Sequence, residues 1–243
     1  MTETKEKKSK GLLIISVISS IALILALVVI SVEINIADSN AFMKEYKECE
    51  VAKDLGMTYE DIEHVSKEMM DYLFDKREDL VVPTNIRGQY KDFFNDKERA
   101  HMVDVKNLLQ NAIVFRRVCL GLAVIGFAVI IFKKKKEAVQ YLSRGFLVGT
   151  GFTVAFAAVI LAIIQINGFT FFWHMFHGVF FTNDLWLMDP MTDMIILLLP
   201  EKFFADLIIR CVMLFAIVMV VLLIASTVTV VLDRKSHKRS KYL

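Results

Sequence analysis

Proline is nearly absent from this chain, with 3 residues in 243, and cysteine is as rare, also at 3. So little proline removes the commonest interruption of long helices. Cys49, Cys119 and Cys211 provide no disulfide framework, and the last two fall in apolar stretches where small packing residues are expected. Charge is missing from whole stretches too: Gly11 to Val32 contains none. What remains is 56% hydrophobic, with 19 Phe and 12 Met, which excludes a water-soluble domain of ordinary composition. Net charge is only +2, and nucleic acid is not among the expected partners.

Four stretches are long enough to cross ~30 Å of hydrocarbon, which takes roughly 20 apolar residues. They are 11–32, 112–132, 142–166 and 207–232. Arg116, Arg117, Arg144 and Arg210 sit near the ends of the last three, where long side chains snorkel to the interface. The first run is too long for a signal-peptide core and has no small-residue exit, so a retained anchor is expected.

Lysine and arginine in the short flanks set the orientation. Lys5, Lys7, Lys8 and Lys10 precede the first stretch, Lys133 to Lys136 separate the second from the third, and Arg234 to Lys241 follow the fourth. The expected fold is therefore an all-α membrane protein with four transmembrane helices. Residues 1–10, 133–141 and 233–243 are expected to be cytoplasmic. The connections 33–111 and 167–206 lie outside, the first a mainly helical extracytoplasmic domain and the second an interfacial aromatic segment.

Within 33–111, Phe42, Tyr46 and Cys49 at helical spacing read as an outward continuation of the first helix. Thr58 with Asp61 three residues on marks a helix start, and Ile62, Val65, Met69, Tyr72 and Leu73 form its apolar stripe; His64 falls off it and reads as a solvated residue. Pro83 and Gly88 among short apolar pairs imply an irregular or hairpin-like segment. Asn95 with Glu98 caps a new helix that has no stop signal before the second span. Eleven residues separate His101 from Ala112, which puts this histidine roughly 16 Å above the hydrocarbon edge at a helical rise of ~1.5 Å per residue.

Gly145 and Gly149, four apart, permit close helix contact. After Gly168 comes a segment with Phe169, Phe171, Phe172, Trp173, Phe176, Phe180, Phe181 and Trp186, too aromatic for a solvated loop and too polar for a fifth span. It carries His174, His177, Asp184, Asp189 and Asp193. Ile195 to Leu199 dips back toward apolar surroundings, and Pro200 with Glu201 starts the last helix.

Taken together, ERAHMVDVK at Glu98 to Lys106, HGVFFTNDLWLMDPMTDMIILLLPEKFF at His177 to Phe204, and the order of the four spans resemble the bacterial lipoprotein intramolecular transacylase family. The resemblance implies transfer of the sn-2 acyl chain of a diacylglyceryl-cysteine lipoprotein to the α-amino group of that cysteine, giving the lyso-form lipoprotein. It places the family's two histidines on His101 and His177. Asp104 is a candidate orienter, and Glu98, Trp186 and Asp193 are supporting candidates. The implied partners are the diacylated lipoprotein N-terminus and membrane lipid, with no cofactor, because amine and ester belong to one molecule.

Residue chemistry alone leaves blander readings open. A histidine at a membrane interface is often an amphipathic anchor, and a helical histidine three residues from an aspartate is a common surface pair. A metal site from His174, His177 and Asp184 ranks below catalysis, because histidines at i and i+3 lack the rest of a ligand motif. A transporter is disfavoured: no span carries an acidic residue or a central proline. The alternative from a different class is a non-catalytic lipoprotein-binding or assembly subunit.

Overall fold

The computed structural model describes residues 2–240, with side chains placed over 10–233. The basic flanks at Lys5, Lys7, Lys8 and from Arg234 to Lys241 lie outside the described side chains. Nine helices and a hairpin follow one another among the described residues: α1 (Thr2–Ile36), α2 (Ser39–Glu48), α3 (Val51–Leu55), α4 (Tyr59–Leu73), β1 (Pro83–Ile86), β2 (Gln89–Asp92), α5 (Asp96–Lys134), α6 (Ala138–Asn167), α7 (Phe169–Phe180), α8 (Ile195–Leu198) and α9 (Glu201–Ser240). A single 3₁₀ turn, Lys135–Glu137, separates α5 from α6. Three helical stretches, Lys10–Ile36, Asp96–Asn167 and Glu201–Asp233, are long and apolar enough to cross a membrane; the second contains both α5 and α6. The protein is a mainly helical membrane protein.

The chain gathers into two compact units, one from the residues up to Ser31, Val114–Ala162 and those from Val212, the other from Val32–Ile113 and Ile163–Cys211. In the first, small residues let helices approach. Ala22 and Ala26 of α1 pack on Cys119 and Ala123 of α5, and Ile24 packs on Phe146 of α6 and Met219 of α9. Ser16 donates to the Tyr141 carbonyl at 2.7 Å. A Cβ added at Gly145 would stand 2.7 Å from the Ser16 carbonyl carbon, so this glycine is what lets α6 meet α1. Arg144 does more than snorkel, because it pairs with the buried Asp233 at 2.9 Å beside Gln140, which donates to the same carboxylate at 2.6 Å.

The second unit has its own core, drawn from α2 to α5, the hairpin, α8 and the start of α9. The expected stripe of α4 is buried in full, and Thr58 accepts the Asp61 N–H at 3.1 Å as its cap. Tyr46 is fully buried, with its hydroxyl 3.0 Å from that of Ser66. One expectation is corrected here. Phe42 and Tyr46 do not continue α1, because Asp38 interrupts the helix and caps α2, accepting the Ala41 N–H at 3.1 Å. The 83–92 segment is a true hairpin. Arg87 and Gly88 both adopt positive φ, at 51° and 79°, the conformation that a tight two-residue turn between twisted strands demands.

Gly145→Ala is expected to force α6 and α1 apart and destabilise the fold by about 1 to 3 kcal/mol, the usual cost of overpacking. The thermal midpoint in detergent reads this directly. Gly151→Ala, which meets nothing within 4 Å, should be neutral or slightly stabilising.

Candidate active site

The site begins at the start of α5. Asn95 and Glu98 cap the helix reciprocally: the Asn95 side chain accepts the Glu98 N–H at 2.9 Å, and the Glu98 carboxylate accepts the Asn95 N–H at 2.6 Å. The other Glu98 oxygen accepts the Ile195 N–H at 2.6 Å, so one fully buried carboxylate joins α5 to α8. Burial pushes the Glu98 carboxyl up, and the backbone N–H groups oppose it. Glu98 therefore supports the site as a structural tie.

One turn after the cap, α5 presents His101, which lies outside the apolar 112–132 stretch. α7 supplies His177 near its C-terminus. Both are buried, at 8% and 6% exposure, and their ring centroids are 6.3 Å apart with planes inclined by 29°. The two histidines expected to act together, 76 positions apart in the chain, are neighbours in space. The rings are thus close enough for one substrate group to lie near both.

Aromatic rings enclose the pair. Trp186 stacks on His177 at 4.8 Å and 27°, Trp173 meets it edge-on at 4.5 Å, and Phe181 lies 5.2 Å from His101 and 5.5 Å from His177. Nδ1 of His177 lies 2.7 Å from the Trp173 carbonyl oxygen. A carbonyl only accepts, so Nδ1 carries the hydrogen and the lone pair sits on Nε2. Nδ1 of His101 is buried without a hydrogen-bond partner among the described residues.

Burial, the His177 ring and the Lys97 charge together push His101 down to about 4, against the opposing pull of Asp104. Burial also lowers His177, partly offset by its bond to the Trp173 carbonyl and reinforced by His174. Both rings are neutral at neutral pH.

The remaining expected residues fall in different places. Asp104 does not orient His101 by a hydrogen bond; it accepts from Asn183 at 2.9 Å. Asp193 is 2% exposed and accepts from Asn95 and Lys97, each at 2.9 Å, and from the Asp189 N–H at 2.8 Å. Burial pushes its carboxyl up, but these donors prevail and hold it below the usual carboxylate range. His174 is exposed, donates to the Thr170 carbonyl at 2.8 Å and touches the edge of Trp186. Asp184 is exposed, and among the described residues no group of three or more His, Cys, Asp and Glu gathers as a metal site would require. Lys106 points away, to Asp75 at 2.7 Å and over the Tyr72 ring. A cleft of about 380 Å³ opens beside Asn95 and Arg99, and neither histidine lines it.

Sequence reasoning missed Lys97, Asn183, Phe181 and the Trp173 carbonyl. Only Lys97, one turn before His101 on the same helix, left a local signal.

Apolar helices of membrane-crossing length and a buried imidazole pair define a helical membrane protein with acid–base groups. Residues 17–204 match the family described as lipoprotein intramolecular transacylase Lit, and the chain belongs to that family. Among solved structures it is similar to the membrane integral lipoprotein intramolecular transacylase Lit from Bacillus cereus, with 23% identity, a TM-score of 0.70, and coverage of 97% of this chain and 100% of that one. Two variants of the same protein with a histidine replaced by arginine or alanine each match at 22% identity and a TM-score of 0.69, covering 99% of this chain and 98% and 100% of theirs. Among curated proteins, none matches.

A histidine kept neutral by burial makes folding sensitive to acid. Between ~6.5 and about 4 the unfolded chain binds a proton that folded His101 refuses, so stability falls as pH drops through that window. The thermal midpoint should decrease from pH 7 to pH 5, and His101→Phe should flatten that slope, leaving the smaller part that belongs to His177.

Proposed function

We propose that the protein is a lipoprotein N-acyltransferase moving the sn-2 acyl chain of a diacylglyceryl-cysteine lipoprotein to that cysteine's own α-amino group. The observation that carries this reading is the buried pair of neutral imidazoles, His101 and His177, in a chain of this family. Residues 11–32, 112–132, 142–166 and 207–232 cross the bacterial cytoplasmic membrane, both termini are cytoplasmic, and the site works at the outer leaflet. The lysine run at Lys133 to Lys136, around the 3₁₀ turn, supports a cytoplasmic loop between the second and third spans. Exposed Phe171, Val179, Phe180 and Met191 support an interfacial role for the aromatic segment, the first three of them on α7.

The cysteine amine attacks the sn-2 ester carbonyl carbon, forming the N–C bond; the C–O bond to glycerol then breaks, and the proton lost by nitrogen goes to the glycerol oxygen. An α-amino group with pKa ~8 is about a tenth neutral at pH 7, a cost of ~1.4 kcal/mol, so deprotonation is a minor hurdle. Holding amine and ester in attack geometry supplies more, up to ~7 to 11 kcal/mol. His177 carries the proton, because its lone pair on Nε2 is fixed by the Trp173 carbonyl. His101, which burial keeps neutral, donates an N–H to the oxyanion.

Mass spectrometry of a diacylated reporter lipopeptide tests the proposal. Conversion leaves the total mass unchanged and creates an N-acyl fragment without added donor lipid. His177→Ala should reduce the rate by ~10² to 10⁴-fold and His101→Ala by ~10² to 10³-fold, with insertion intact. A folded wild-type protein that holds the lipopeptide and leaves its fragments unaltered would establish the binding-subunit alternative instead.

A further inference from the structure

The segment from Phe181 to Met194 carries Trp186 to the imidazole pair, and it has no regular secondary structure. Something outside the segment must therefore hold the indole in place. Lys97 of α5 does so from the opposite side. Its ammonium donates to the Leu187 carbonyl at 2.6 Å and to the Asp193 carboxylate at 2.9 Å. Leu187 directly follows Trp186, whose ring stacks on His177. Asp193 is in turn fixed by Asn95 and by the Asp189 N–H, so Lys97 closes a ring of contacts between the start of α5 and the segment that bears the indole.

The same side chain is four residues before His101, on the neighbouring turn of one helix. The charged and titratable groups that act on the pair are Lys97 and Asp104 on α5 and His174 on α7.

We infer that Lys97 is a positioning residue: it holds Trp186 against His177 and places a fixed positive charge one helical turn from His101. The inference rests on the transacylase reading, and it adds a residue that contacts neither substrate nor reacting atoms. Loss of Lys97 releases the carbonyl after Trp186 and lets the indole leave the imidazole face. It also removes a charge that discourages protonation of His101.

The test compares Lys97→Met, Lys97→Arg and Asp193→Asn in the full chain, reading lipopeptide conversion, the His101 ring titration by NMR, and tryptophan emission against pH. Lys97→Met should lower conversion by on the order of 10- to 100-fold, the penalty for misplacing a reacting group. It should also move the titration of the His101 imidazole, read by NMR of the ring, to higher pH and weaken the pH-dependent quenching of tryptophan by the adjacent histidine. Lys97→Arg, which keeps the cation and both donations, should recover conversion to within about threefold of wild type. Asp193→Asn loosens the same contacts but leaves the Lys97 charge in place, so it should lower conversion without moving the His101 titration.

If Lys97→Met does not fold, Lys97→Gln keeps an N–H donor on a side chain one bond shorter and loses the charge, and the His101 titration should still rise. Wild-type conversion, His101 titration and quenching in Lys97→Met would overturn the inference, as would an equal upward shift of the His101 titration in Asp193→Asn. A wild-type chain that converts no lipopeptide overturns the transacylase reading instead, whereas the quenching measurement tests the Lys97 contact without turnover.

Discussion

The carboxylate of Glu98 holds the second unit to its shape. It is fully buried, and each of its oxygens accepts a backbone N–H from a different part of the chain, Asn95 just before α5 and Ile195 at the start of α8. Bonds from N–H groups to a charged acceptor contribute about 1.5 to 3 kcal/mol each, which offsets a substantial part of the desolvation that burial imposes. Through Asn95 the same arrangement continues to Asp193, and through Asp193 to Lys97 and the backbone beside Trp186. The polar groups in the unit's interior thus act on the imidazole pair by fixing where backbone goes.

What the chain discloses about itself follows from the range of each interaction. Apolar stretches of about twenty residues, the caps at Thr58 and Asn95, and the stripe of α4 are local patterns, and all were legible. Asp38 was not legible, because the apolar spacing of Phe42 and Tyr46 is the same for a continued helix as for a new one that a polar cap begins. The Arg87–Gly88 turn was half legible, since glycine was evident and positive φ at an arginine was not.

As a pair, the histidines were legible only through family resemblance, because nothing local relates His101 to a residue 76 positions away. Asp104 shows the limit of local reasoning. Spacing on one helix nominated it as a partner for His101, whereas its side chain is taken by Asn183, 79 positions on. Lys97 is similar, with partners 90 and 96 positions away. Such pairs arise from tertiary packing, for which periodicity has no signature.

The carbonyl of Trp173 has a consequence of another kind. In a Ser–His–Asp arrangement the imidazole is oriented by a carboxylate, a side chain that mutation can delete and comparison of sequences can find. In this chain the orienting oxygen is a peptide group of the helix that bears His177, one turn back. No residue type encodes it, so almost any amino acid at position 173 preserves the tautomer, and the indole there is free to be selected for packing alone. On the proposed mechanism, the tautomer that carries the proton is thereby set by helical geometry and not by a side chain.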